Sequence, residues 1–327
     1  MGRWLLRRLI VTLITFIGFT VIVFTLMRLS PVSPVDLMLF NLRQQGGLSA
    51  VDMQRIHDEL AKQLGLDLPI PIQYVIWLKT FITSGSLGYS FNTGRPSIDM
   101  VVERMPPTLL LLGSALIIEL VIGIPLGILA ALRRNRRLDY LISSFGLSVV
   151  AIPSFFLGLS AIYIFSVKLA ILPASGMFTP SRKSFDAIDW LRHLILPAFV
   201  LGLAGVGPIL RYVRTSILET LGKEYLVTAR AKGLTVTATV VRHAFPNALL
   251  PLITYVGLQV GLLMAGAFIT ESVFSWPGMG TLALNAIQSK DYPVIQAFAV
   301  IVGGLVLLGN VFADLAYAIA DPRIRLE

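Results

Sequence analysis

The stretch MPPTLLLLGSALIIELVIGIPLGILAALRRNRR, residues 105–137, decides what kind of fold this chain can adopt. From Met105 to Leu132 it holds one ionisable side chain, Glu119, and then four arginines fall within five positions. A helix rising 1.5 Å per residue needs about 20 apolar residues to cross roughly 30 Å of hydrocarbon, and this run exceeds that. The arginines mark where it leaves the membrane. Five more runs have the same character: Leu9–Met27, Tyr140–Val167, Leu194–Leu210, Ala244–Thr270 and Tyr292–Ala313. The whole chain agrees, being 55% hydrophobic and 14% charged with a mean hydropathy of +0.79. Soluble domains carry about a quarter charged residues. The expected fold class is therefore an all-α membrane protein with six transmembrane helices.

Charge placement sets the expected topology. Four segments, before the first span, between the second and third, between the fourth and fifth, and after the sixth, hold 15 of the 27 basic residues and five acidic ones. The 31–105 segment holds six basic and seven acidic residues. The positive-inside rule then places both termini in the cytoplasm and 31–105 outside as a soluble insert. A net charge of +9 could suit nucleic acid, but a phosphate-binding stripe would run along one face instead of sitting at alternate helix ends, so no nucleic-acid partner is expected. The basic start and apolar run of residues 1–27 imitate a signal peptide, yet no small-x-small site follows, so the first span is expected to stay. The domain reading is 1–30 for the N-terminus and first helix, 31–105 for the insert, 106–320 for the membrane core and 321–327 for a cytoplasmic tail.

Within the insert, Ser49 and Asp52 start a helix whose apolar positions Met53, Ile56, Leu60 and Leu64 recur at three- and four-residue steps until Gly65. A second helix is expected over Ile72–Ile82, followed by the turn SGSLG. In the spans, Gly123 and Gly127 share a face, as do Gly257 and Gly261, and Gly202 and Gly205 lie nearby, which lets backbones approach closely in lipid. Prolines 125, 153, 197 and 208 should bend their helices inside a bundle.

Several chemistries are excluded. There are no cysteines, hence no disulfides, thiolate metal sites or thiol nucleophiles. No G-x-x-x-x-G-K-[ST] loop occurs to cradle nucleotide phosphates, and no H-E-x-x-H metal motif joins the three histidines His57, His193 and His243. Neither a catalytic site, nor a metal, nor a cofactor is expected. Glu119 in mid-membrane invites either a functional role or a structural one as a neutral or hydrogen-bonded group.

The largest break in the apolar pattern is EYLVTARAKGLTVTATVVRHAFPNALLP, residues 224–251. Leu221, Tyr225 and Ala229 share one side of a helix, Glu224 stands early, Arg230 and Lys232 stand late where cations suit the helix dipole, and Gly233 ends it. A second short helix, TVTATVVRHAF, leads through Pro246 into the fifth span. Helix, glycine bend and helix, fixed to a span, can act as a lever; they can also rest on headgroups as an interfacial helix.

EYLVTARAKG followed by HAFPNALLP resembles the cytoplasmic coupling loop of permease subunits of ABC-type importers, in the dipeptide and oligopeptide branch. Gly233 and Pro246 have the loop's separation, Ala229 matches its second Ala, and the T-A-R-A-K-G form fits the peptide branch. The resemblance runs along nearly the whole chain, through LLRRL, LGLDLPIPIQY, GSLGYSF, GIPLGILAALRR, AIPSFFLG, LPASG, FITESVFSWPGMG, KDYPVIQA and DPRIR. Ser86 departs from it, standing where the family commonly has Asp.

The resemblance implies the type I importer permease fold and a subunit without its own ATPase site in a bacterial or archaeal inner membrane. It implies pairing with a second, different permease, two ATPase subunits below and an external substrate-binding protein above. It also implies that the loop 216–245 couples to the ATPases through Glu224, Tyr225, Thr228, Ala229, Arg230, Ala231, Lys232 and Gly233. Pro246, Gly257 and Gly261 are the expected hinge, and Glu119, Gln259 and Glu271 are candidates for pore lining or helix packing. Peptides are the implied cargo, with oligosaccharides, nickel chelates or glutathione as alternatives. From another class, a self-contained ion-coupled transporter would carry internal repeats, and the sequence shows none.

Overall fold

A computed structural model describes residues 2–29, 35, 39, 50–63, 65–180, 186–221, 223, 235, 245, 252, 256, 257, 261, 264 and 267–320. Among the described residues there are nine α-helices and a single isolated β-bridge, Tyr89 to Pro96. They are α1 (Gly2–Arg28), α2 (Ala50–Gln63), α3 (Ile70–Ser84), α4 (Ser97–Leu132), α5 (Arg137–Ala151), α6 (Ser154–Ala161), α7 (Ala187–Leu221), α8 (Met279–Gln288) and α9 (Tyr292–Ala320). A π-helical segment, Ile162–Lys168, continues α6.

Four helices are long and apolar enough to cross a membrane, and α5 with α6 and its continuation forms a fifth span if counted as one broken unit. The expected count of six is thus not reached among the described residues, because most of the fifth run, 244–270, lies outside them. The third run is not one rod: the two halves meet at 98°. Pro153 causes this, since it has no N–H and its ring pushes the preceding residue out of the helical region. Ile152 accordingly sits at φ −83°, ψ 124°.

Two other boundaries differ from expectation. The second run was expected from Met105, whereas α4 starts at Ser97. The fourth was expected over Leu194–Leu210, whereas α7 is 35 residues long and passes through Pro197 and Pro208 without ending. Hydropathy registers only its apolar centre. At its polar start Asp189 accepts from Thr179 N and Oγ1 at 2.9 and 2.7 Å, and His193 Nδ1 bonds Asp189 O at 2.8 Å. α7 runs to Leu221, and the helix expected over 221–232 otherwise lies outside the described residues apart from Lys223.

In the 31–105 segment, α2 and α3 form where the periodicity places helices. Gly65 follows α2 at φ +62°, and Gly85 closes α3 at φ +65° with its N–H on Phe81 O, a left-handed stop that only glycine adopts without strain. Pro71 fits the first turn of α3, where an N–H has no helical partner.

The chain forms two compact units, 1–4 with 106–281 and 308–327, and 5–105 with 282–307. In the first, α7 is the central post: 72% of its most apolar stretch is buried, against 17% for α1. Ile209, Val213 and Ile217 of α7 pack with Ala131 of α4 and with Leu252, while Leu210 packs with Ala130 and Ile142. In the second unit, α9 packs on α1 where Gly303 and Gly304 meet the rings of Phe19 and Phe16.

Candidate functional site

The arginine-rich end of the first unit is organised around one acid. Asp139, in the first turn of α5, is 2% exposed, and Arg214 of α7 grips it with Nε on Oδ1 and Nη2 on Oδ2, both at 2.7 Å. Asn135 N donates to Oδ2 at 2.9 Å and Ser143 Oγ to Oδ1 at 3.4 Å, so each carboxylate oxygen has two donors. Asn135 sits at φ 60°, the left-handed turn that aims its N–H back at the acid. Parallel N–H···O bonds from a planar guanidinium fix orientation as well as distance. The four arginines of the 133–137 turn remain exposed.

Above this clamp the helices interlock through glycine. A Cβ at Gly207 of α7 would overlap the carbonyl oxygen of Gly146 on α5. On the other side, a Cβ at Gly123 or Gly127 of α4 would lie 2.8 Å from Ile209 Cγ2 or from Leu210 O, and one at Gly202 would lie 2.6 Å from Ala115 O. These close approaches put backbone against backbone, with few flexible atoms between to absorb a shift. The paired glycines 123 and 127 therefore serve packing within the chain.

Glu119 belongs to the same seam. It is 1% exposed, and a Cβ at Gly205 would overlap its carboxyl group. Among the described residues its Oε2 has no hydrogen-bond partner. Glu119 thus fills a notch between α4 and α7.

Glu271 forms a different joint. Fully buried, it accepts from Thr108 Oγ1 at 2.5 Å, Gly280 N at 2.6 Å and Thr281 N at 3.1 Å. Thr108 Oγ1 in turn accepts from Met279 N at 2.8 Å. The acid therefore satisfies the open N–H groups at the start of α8, where a negative charge also suits the helix dipole. A Cβ at Gly278 would run into this carboxylate, and Trp276, buried beside it, donates from Nε1 to Pro107 O at 3.0 Å. The motif ESVFSWPGMG is a knot that ties the segment after the fifth run to α4 and α8.

In the second unit, Asp291 precedes α9 and collects the turn of residues 90–92. It accepts from Ser90 Oγ at 2.5 Å, Phe91 N at 3.1 Å and Asn92 Nδ2 at 3.2 Å. Gly88 approaches Pro293 closely, and Ser86 Oγ accepts from Gly88 N at 3.2 Å. GSLGYSF and KDYPVIQA are thus two halves of one contact.

Of the residues singled out from sequence, Glu224, Tyr225, Thr228, Ala229, Arg230, Ala231, Lys232, Gly233, Pro246 and Gln259 lie outside the described residues. Gly257 is described and packs against Ala313, while Gly261 is half-buried. Sequence reasoning missed Asp139, Arg214, Thr108 and Asp291 as partners. A lone acid next to four arginines was the available signal for Asp139. Among the described residues no group of three or more His, Asp or Glu could hold a metal ion.

Comparison with known proteins adds the following. Residues 123–326 match the family model of the binding-protein-dependent transport system inner membrane component, and residues 1–112 match its N-terminal companion. The oligopeptide transport system permease protein AppB of Bacillus subtilis is 37% identical over 325 residues, with 99% of both chains covered. The dipeptide transport system permease protein DppB of Escherichia coli is 37% identical over 347 aligned residues, again with 99% of both chains covered. Among solved structures, the MetNI methionine ABC transporter in an inward-facing conformation matches with a TM-score of 0.58 at 20% identity, over 68% of this chain and 96% of that one. At that identity the likeness concerns the fold.

Proposed function

This chain belongs to the family of binding-protein-dependent transport system inner membrane components, and on that premise we propose that it is one permease half of an ATP-driven importer for peptides. The relatives' names supply the peptide class. In this reading an external binding protein delivers the cargo, a second permease of different sequence completes the pathway, and two ATPase subunits engage the 221–233 lever from the cytoplasm. Both chain ends then lie on that side, in a bacterial or archaeal inner membrane.

The observation that carries the reading is the path of α7. It leaves the clamp at Arg214 and ends at Leu221, three residues before EYLVTARAKG in the sequence. A push on that loop acts on a helix held closely by its neighbours, because Gly207 meets the Gly146 backbone and Gly127 meets the Leu210 backbone and Val213. α4, α5 and α7 should therefore move as one body. The segment after the fifth run is tied at Glu271 to Thr108 of α4, and so to the same body, which leaves Pro246, Gly257 and Gly261 in the stretch between the loop and that attachment. Motion delivered at one end of such a segment has to be absorbed within it. Packed interfaces of this kind switch between discrete arrangements and do not deform continuously.

The test is Gly233→Val in the assembled transporter, with uptake and ATP hydrolysis measured together in proteoliposomes. A β-branched residue at a left-handed helix stop costs about 1–2 kcal/mol and should distort the elbow. Uptake should fall well below hydrolysis; an unchanged ratio overturns the coupling role.

A further inference from the structure

Helix α3 carries large apolar side chains on two opposite sides. Of its 15 residues, Lys79 alone is charged. One side faces α1: Tyr74 Oη and Thr20 Oγ1 share a hydrogen bond of 2.9 Å, and the Phe24 ring lies 5.6 Å from both the Tyr74 and Trp77 rings. Trp77 stacks in turn on Phe81 at 5.9 Å. The opposite side carries Ile72, Val75, Ile76 and Ile82, which are between 47% and 73% exposed. A helix with large apolar side chains on opposite sides belongs in a core or in a membrane, and among the described residues nothing covers the outer four.

Depth decides between the two. Thr20 and Phe24 lie inside the apolar span Arg3–Arg28, eight and four residues before its end. At 1.5 Å per residue those contacts sit about 12 and 6 Å below the level of Arg28, whose guanidinium lies 5.2 Å from the Phe24 ring. A helix docked there stands at the depth of lipid tails. Its hydroxyls agree with such a setting: Thr80, Thr83 and Ser84 each donate to the carbonyl four residues back, at 2.9, 2.8 and 2.7 Å, and so need no water. At 15 residues the helix is about 22 Å long, too short to cross roughly 30 Å of hydrocarbon.

We propose that α3 is a monotopic helix seated in one leaflet, that at the Arg28 end of α1, with its Ile72, Val75, Ile76 and Ile82 side against lipid acyl chains. On α1 the apolar side chains Val21, Ile22 and Leu26 are exposed as well. Lys79 stands on the same side, where its four-carbon stem reaches the headgroups. The soluble part of the insert then shrinks toward α2, whose Arg55–Glu59 pair is water-exposed on both partners. Through its rings, α3 would hold the first span at a fixed height in the bilayer.

The chain has no cysteine, so single replacements report cleanly. Spin labels at V75C, I76C and I82C, in the full chain within the assembled transporter made cysteine-free, are read for collision with oxygen and with a water-soluble nickel chelate. The vesicles are of phosphatidylcholine and phosphatidylglycerol, R55C is the aqueous reference, and I14C on α1 is the lipid reference. Oxygen accessibility several-fold above that of the chelate at all three sites, as at residue 14, is expected. Chelate access like that at residue 55 would put the side in water, and exclusion of both reagents would put a protein there; either overturns the proposal. Should a labelled variant fail to assemble, a diazirine-bearing phospholipid photolysed with the unmodified transporter gives the same decision. Adducts are expected within 70–84, and adducts on α1 without any on α3 would refute the assignment.

Discussion

Asp139→Asn is the sharpest test of how the end of α7 that leads into the proposed coupling loop is held. The substitution keeps shape and volume but removes the charge, and one carboxylate oxygen becomes an NH2 group. Each oxygen of Asp139 now accepts two donors, Arg214 Nε with Ser143 Oγ on one and Arg214 Nη2 with Asn135 N on the other. Whichever way the amide turns, an N–H will face N–H donors. Breaking a fully buried ion pair costs about 3–5 kcal/mol, whereas an exposed pair is worth about 0–1. The Asp139 side chain is 3% exposed and that of Arg214 26%, so water recovers part of the loss on one partner only. A cost of about 2–3 kcal/mol follows for Asp139→Asn. Arg214→Lys keeps the charge and loses the fork, which removes one of two parallel bonds and costs about 1 kcal/mol. At this chain length each kcal/mol moves the midpoint by about 2 °C, so thermal unfolding in nanodiscs should drop by about 4–6 °C for Asp139→Asn and about 2 °C for Arg214→Lys. The exchanged pair Asp139→Arg with Arg214→Asp should not recover stability, because Asn135 N–H and the Ser143 hydroxyl would then point at a cation. Cargo moved per ATP hydrolysed should fall in the same order as the midpoints. If Asp139→Asn melts within 1 °C of the parent and couples normally, the clamp is not what fixes the foot of α7.

Gly205→Ala should destabilise by about 1–3 kcal/mol through its overlap with the Glu119 carboxyl; adding Glu119→Ala should return part of that, and a double-mutant cycle on melting midpoints with no coupling would contradict the notch. Gly278→Ala places a methyl on the Glu271 carboxylate and leaves the first N–H groups of α8 without their acceptor, so a loss of about 2–4 kcal/mol in thermal unfolding is expected, against about 1–3 for Glu271→Gln, which keeps one oxygen. Asp291→Ala removes the acceptor of three donors in the 90–92 turn, and hydrogen exchange should rise by at least tenfold at Phe91 N–H while α1 stays protected.

The sequence by itself determined the membrane class, the apolar runs, the basic ends between them and the glycine stops at 65 and 85. All of these are local: hydropathy over about 20 residues and left-handed conformations at single glycines. Tertiary structure decided the partners. Asp139 meets Arg214 across 75 positions and Thr108 meets Glu271 across 163, and no periodicity along the chain encodes which helices cross or at what height. The same holds for Glu119, whose neighbour is a glycine three helices along, on α7, and for α3, whose amino acids spell an apolar helix but not the span it lies against. Local propensity fixes where a helix begins and what faces it can show. Which face meets which is settled only when several helices compete for the same close contacts, as Gly202, Gly205 and Gly207 of α7 each do with a different neighbouring backbone or side chain.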